Sequence, residues 1–81
     1  MDILPFDVSK LHTTLLGEER IKRNLNFEGM EVDVVKLMRD LILDDSATAV
    51  SKGKNWYITS GYCRITVNAS SLTIITAHRL K

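Results

Sequence analysis

From Asn55 to Ala77, β-branched residues alternate with polar ones, and Gly, Asn and Ser interrupt the pattern. A period of two with turn residues between runs reads as short strands, not as helix. It predicts strands near Thr48–Ser51, Asn55–Thr59, Tyr62–Val67 and Leu72–Ala77. Turns then fall at Lys52-Gly53, Ser60-Gly61 and Asn68–Ser71. A two-residue hairpin loop at Ser60-Gly61 sets the register, with Thr59 opposite Tyr62, Ile58 opposite Cys63, Tyr57 opposite Arg64 and Trp56 opposite Ile65. The Asn68–Ser71 loop sets Val67 opposite Leu72, Ile65 opposite Ile74 and Arg64 opposite Ile75. Side chains alternate across a strand, so one face collects Trp56, Ile58, Cys63, Ile65, Val67, Leu72, Ile74 and Thr76. The other collects Asn55, Tyr57, Thr59, Tyr62, Arg64, Thr66, Thr73, Ile75 and Ala77. The first is a core face and the second an open one.

The first half of the chain has a different period. Val34, Val35, Met38, Leu41 and Ile42 form one apolar stripe of an α-helix, read from about Glu31 to Leu43. Leu16, Ile21 and Leu25 mark an earlier helix, about Thr14 to Leu25, with Thr13 or Thr14 as its cap. A short turn over Asp7 to Leu11 precedes it, and two helices adjacent in sequence suggest an αα-hairpin. The fold class is α+β: two N-terminal helices packed on one face of a four-stranded antiparallel β-meander. At 81 residues the chain is a single domain, 1–81, with a thin core. Trp56, Ile65 and Ile74 are expected in one buried row beneath the helix bearing Met38 and Leu41. The last strand, uncharged and β-branched, is expected to be a sheet edge that supports a homodimer, through the edge or the sheet face.

Charge divides at the same boundary. Met1 to Asp45 holds ten acids and six bases, net −4; Ser46 to Lys81 holds five bases and no acid, net +5. Such asymmetry points to an anionic partner. It also removes carboxylate-pair catalysis and magnesium binding from the second half. A single cysteine, Cys63, excludes an internal disulfide and a multi-cysteine zinc site, and His12 and His78 follow no metal spacing. Neither a metal nor another cofactor is therefore expected. No apolar run approaches the ~18 residues of a membrane span. Met1 to Val8 lacks the basic start of a secretory signal, so a cytoplasmic protein is expected.

On the open face, Arg64 stands between Tyr57 and Tyr62, an arrangement suited to stacking bases and holding phosphate. Solvated sheet faces also carry Thr, Tyr and Arg, so the row alone leaves both readings open. Lys52 and Lys54 flank Gly53 in a basic turn that lacks the P-loop pattern. His78, followed by Arg79, is a candidate general acid or base for metal-independent RNA cleavage. The register places His78 near the Ser60-Gly61 turn and Lys52 and Lys54 at the opposite end of the sheet, roughly 20 Å away, so Tyr62, Tyr57, Arg64 and His78 are the expected neighbours. His12 reads as a cap or packing residue, and Cys63 as a small core hydrophobe.

Several blocks carry a resemblance: Leu11-His12-Thr13-Thr14, Gly17 and Glu19-Arg20-Ile21-Lys22-Arg23-Asn24-Leu25; Gly53-Lys54-Asn55-Trp56-Tyr57; Ile65-Thr66-Val67-Asn68-Ala69; and Thr73-Ile74-Ile75-Thr76-Ala77-His78. Together they resemble a small bacterial and phage family known as a domain of unknown function. The resemblance spans about Leu11 to Arg79 and implies an intracellular bacterial or phage protein; it supplies no catalytic residues. At the level of fold the pattern is also similar to compact toxin ribonucleases related to colicin D and RelE. Three functions follow as expectations. The first is a non-catalytic module that binds an anionic ligand, nucleic acid or nucleotide, through Tyr57, Tyr62, Arg64, Lys52, Lys54 and Arg79. The second is a toxin-type ribonuclease using His78. The third is a phage or mobile-element inhibitor of a host protein.

Overall fold

The computed structural model describes residues 6–80; the reading of 1–5 lies outside them, as do Asp2 and Lys81. A 3-10 turn, Val8–Lys10, comes first, capped by the Asp7 carboxylate on Ser9 N–H. Helix α1 spans Leu15–Asn24, with the Thr14 hydroxyl accepting from Gly17 N–H at 3.0 Å. Helix α2 spans Val34–Ile42, matching the apolar stripe and starting three residues after the expected Glu31. Asp33 is its N-cap rather than a first-turn residue, since its carboxylate accepts from Lys36 N–H at 3.1 Å. The strands are β1 (Thr48–Lys52), β2 (Asn55–Ser60), β3 (Cys63–Asn68) and β4 (Ile74–Arg79), in sheet order β1-β2-β3-β4, all antiparallel. Two helices on a four-stranded antiparallel meander confirm the α+β class. The helices do not form a tight hairpin: α1 packs mainly on β4 and α2 on β2.

The core lies between these layers. Ile21, Met38 and Ile42 from the helices meet Ile58, Cys63, Ile65, Val67, Ile74 and Ala77 from the sheet, all 0–1% exposed. The Ser60 hydroxyl, also buried, donates to the Leu41 carbonyl and ties α2 to the end of β2. Burial of the Cys63 thiol pushes its pKa up, against the opposing pull of Arg79, and keeps it protonated as a core group.

Both hairpin registers differ from the sequence reading. The β2–β3 turn is Gly61-Tyr62, not Ser60-Gly61, so Ser60 pairs with Cys63 and Ile58 with Ile65. Gly61 takes φ +57° at the first turn position, where a II′-type turn needs glycine; Tyr62 is consequently a turn residue and not part of β3. Moving a turn by one residue moves every pairing by two, so the faces survive while the partners change. Trp56 therefore lies opposite Val67, and the buried row is Trp56, Val67 and Ile74, without Ile65. Trp56 is only half-buried and meets Phe6 with ring centroids 6.1 Å apart.

Between β3 and β4 the correction is larger. Val67 pairs with Ile74 and Thr66 with Thr76, which leaves Ile75 as an extra residue in a β-bulge. The bulge reverses the faces beyond it. Ala77, expected on the open face, is fully buried opposite Ile65, while Thr76 moves from the expected core face to lie opposite Thr66. His78 arrives directly opposite Arg64, the place assigned to Ile75.

Candidate functional site

Lateral rows across the open face follow from the pairings. The row nearest the Gly61-Tyr62 turn is Thr48, Thr59, Arg64 and His78. The next is Val50, Tyr57, Thr66 and Thr76. At the far end lie Lys52, Asn55 and Asn68. Arg64 and His78 are both exposed and, as a directly opposed pair, have Cβ atoms about 4.5–5.5 Å apart. The Arg64 guanidinium carbon lies 5.4 Å from the centroid of Tyr57, a diagonal neighbour across β2–β3. The expected Tyr57–Arg64 contact is thus present, by the diagonal rather than the direct pairing.

A second cation–π pair stands at the same end. Arg79 Cζ lies 5.6 Å from the ring centroid of Tyr62, which is 56% exposed, and Leu80 N–H donates to the Tyr62 carbonyl at 2.7 Å. An arginine held over an aromatic face keeps its planar donor edge free for an oxyanion. Among the described residues no carboxylate lies within 4.0 Å of Arg64, Arg79, Lys52 or Lys54; the ion pairs are confined to Lys22–Glu18, Arg23–Glu28 and Lys36–Asp40 in the helical half. Among the described residues the acids lie in the helical half, balanced in part by its own bases, while the strands carry bases and no acid.

Tyr57, Arg64 and His78 share the open face at this end, whereas Arg79, paired with the buried Cys63, lies on the opposite face and meets Tyr62 at the turn. Lys52 and Lys54 do not join them. Lys52 shares its row with Asn68, four residues along β3 from Arg64, or about 13 Å. Lys54 sits in the β1–β2 turn, where its carbonyl accepts from Ala69 N–H at 2.8 Å. His12 is structural: its backbone bridges Thr73, while Nδ1 lies 3.0 Å from the Lys10 carbonyl and Nε2 lies 3.0 Å from Thr73 Oγ1. Arg64 and His78 are neighbours, as the sequence suggests, but their direct pairing comes from the bulge, since the plain register sets Ile75 opposite Arg64. The signal of the bulge is the adjacent apolar pair Ile74-Ile75, which breaks strict alternation just before Ala77.

With this geometry in place, comparison adds the family. A model described as "Protein of unknown function (DUF3781)" matches residues 6–78. The chain belongs to this family. No curated protein and no solved structure matches it. The DUF3781 match covers both helices and every strand up to His78, so the Arg64–His78 pair lies within the family's span. Among the described residues there is no group of three or more His, Cys, Asp or Glu arranged to hold a metal ion, and no helix long and apolar enough to cross a membrane.

Proposed function

We propose that this DUF3781 protein is a non-catalytic binding module whose open sheet face takes an anionic ligand, a nucleic acid or nucleotide. The observation that carries the reading is Arg64, exposed, set against the Tyr57 ring and beside His78, with no carboxylate ion-paired to it among the described residues. Its guanidinium offers a bidentate fork for phosphate, and Tyr57 beside it offers a surface on which a base stacks, with Tyr62 and Arg79 at the adjoining turn. Lys52 and Lys54 add long-range attraction from the far end of the sheet. The reading places the protein in the cytoplasm of a bacterial or phage-infected cell, in keeping with a lone, buried cysteine.

Fluorescence anisotropy with labelled single-stranded RNA and DNA, at low and raised salt, tests it. Affinity falls steeply with salt as neutralised phosphates release counterions. Arg64→Ala weakens binding by ~1.5–3 kcal/mol with unchanged circular dichroism, and Arg64→Lys restores part of the loss. Absence of binding to any RNA, DNA or nucleotide at low salt refutes the reading.

A second reading, metal-independent ribonuclease of toxin type, draws on the direct pairing of His78 with Arg64, which sets a titratable group beside a phosphate clamp. Under it, His78→Ala abolishes RNA cleavage and leaves RNA binding nearly unchanged. Intact RNA after incubation with wild-type protein eliminates it.

A further inference from the structure

The sheet has two edges, and the structure treats them differently. The β4 edge, expected to be open, is covered. His12 bridges Thr73 in parallel, with Ile74 N–H donating to the His12 carbonyl at 2.7 Å and His12 N–H to the Leu72 carbonyl at 3.3 Å. Thr13 Oγ1 donates to the Ile74 carbonyl at 2.8 Å, and Asn24 Nδ2 to the Ala77 carbonyl at 3.1 Å. The β1 edge has no such cover among the described residues. Four of its five residues are exposed, and Val50 at its centre is 61% exposed. It has no proline and no bulge, and its one charge, Lys52, stands at the end. Natural edges are normally blunted by such devices, and an edge without them pairs.

We propose that β1 is a self-pairing edge, through which two copies of this chain join their sheets antiparallel about Val50. Charge selects the occupant and its direction. Asp44 and Asp45 precede the Thr48 end of β1, and Lys52 and Lys54 stand at the other end. The Asp44 carboxylate accepts from the hydroxyl and N–H of Ser46, which hold its pKa below the ordinary value and keep it ionised. Antiparallel pairing sets the acidic corner of each copy beside the basic turn of the other; parallel pairing sets like against like. Register follows from face and length. Open-face residues must oppose open-face residues, and only a two-fold at Val50 pairs all five residues of β1. Lys52 then opposes Thr48 of the partner subunit rather than its own copy. Five residues a side bury less than the ~1,200 Å² of a stable interface, so the dimer is weak and concentration-dependent.

One consequence rests on the anion-binding reading, although the dimer itself does not. The row His78, Arg64, Thr59 and Thr48 continues across the edge into Lys52 of the partner subunit. Lys52 of the partner subunit thus extends that row at its far end, about 14 Å from Arg64 over three strand spacings.

Sedimentation of the full chain without ligand, from low to high micromolar, tests the dimer. Wild-type protein shifts from monomer toward dimer as concentration rises. Val50→Lys, which puts like charges at the two-fold on an exposed position, weakens association by more than about tenfold with unchanged circular dichroism. Asp45→Lys and Lys54→Glu each weaken it alone, and an equimolar mixture of the two variants recovers association as a heterodimer. A wild-type monomer at high micromolar concentration overturns the proposal, as does a dimer indifferent to Val50→Lys or a mixture that fails to recover. Because no ligand is present, none of these outcomes depends on whether the open face binds anions.

Discussion

Gly17 marks the closest approach of α1 to the sheet, and replacing it with alanine tests how that approach is built. It is the third residue of α1 and is buried. A β-carbon there would sit 2.5 Å from Thr13 Oγ1 and 3.3 Å from the Ile74 carbonyl oxygen. The first contact is inside any tolerable separation, so the Thr13 hydroxyl must swing away. That movement breaks its 2.8 Å hydrogen bond to the Ile74 carbonyl, a partly buried bond worth about 0.5–1.5 kcal/mol. The second contact adds strain against backbone, which cannot rotate aside. Opposing both is the helix propensity of alanine over glycine, at most about 1 kcal/mol and less in a first turn. The net loss for Gly17→Ala is about 1–2 kcal/mol, or roughly 4–16 °C in Tm for a domain of this size.

A double-mutant cycle separates the two contacts. Thr13→Ala alone loses about 0.5–1.5 kcal/mol with the hydrogen bond. In Thr13→Ala/Gly17→Ala the clashing oxygen is gone, so the second substitution adds little to the first, and the cycle shows a coupling of about 1 kcal/mol. Urea unfolding followed by circular dichroism measures all four proteins. Strict additivity, or a Gly17→Ala protein more stable than wild type, refutes the argument that the Thr13 hydroxyl sets the spacing of α1 from β4.

Local chemistry made some of this structure legible in the sequence and left other parts hidden. The stripe of Val34, Met38 and Ile42 and the alternation through Ile58, Ile65 and Val67 report burial directly, so fold class and most of the core were readable. The β2–β3 pairing was displaced because Ser60-Gly61 and Gly61-Tyr62 both look like turns; the deciding factor is the positive φ at the first turn position, which favours Gly61. Faces survived that error because the shift was even. The β3–β4 bulge was not recoverable from turn composition, since Leu72 takes φ +57° without being glycine and the Ser71–Thr73–His12 hydrogen bonds supply the compensation. The sequence therefore groups Tyr57, Arg64 and His78 at one end of the sheet, whereas the direct pairing of His78 with Arg64 emerges only with the bulge. Asn24 and Thr13 were invisible as edge cover because their partners are β4 carbonyls more than fifty residues away.

Two further predictions concern groups that hold the sheet rather than the open face. Asn24→Ala leaves the Ala77 carbonyl without its side-chain donor, and hydrogen exchange along β4 should accelerate together with a stability loss of about 0.5–1.5 kcal/mol; unchanged exchange in β4 would show that Asn24 does not seal this edge. Cys63 governs the alkaline limb of stability. Its thiol pKa is raised in the folded protein by burial, so the folded state holds that proton more tightly than the unfolded chain. The contribution is complete below the unfolded thiol value of about 8.5 and is lost as pH rises through the folded value above it. The informative quantity is the difference between wild type and Cys63→Ala, which isolates the thiol. Stability of the wild type should fall more steeply with pH above about 8.5 than that of the alanine variant, because only the wild type must release a proton from beneath α1 and α2. Parallel pH profiles for the two proteins would mean that the thiol ionises as easily folded as unfolded, which its complete burial opposes.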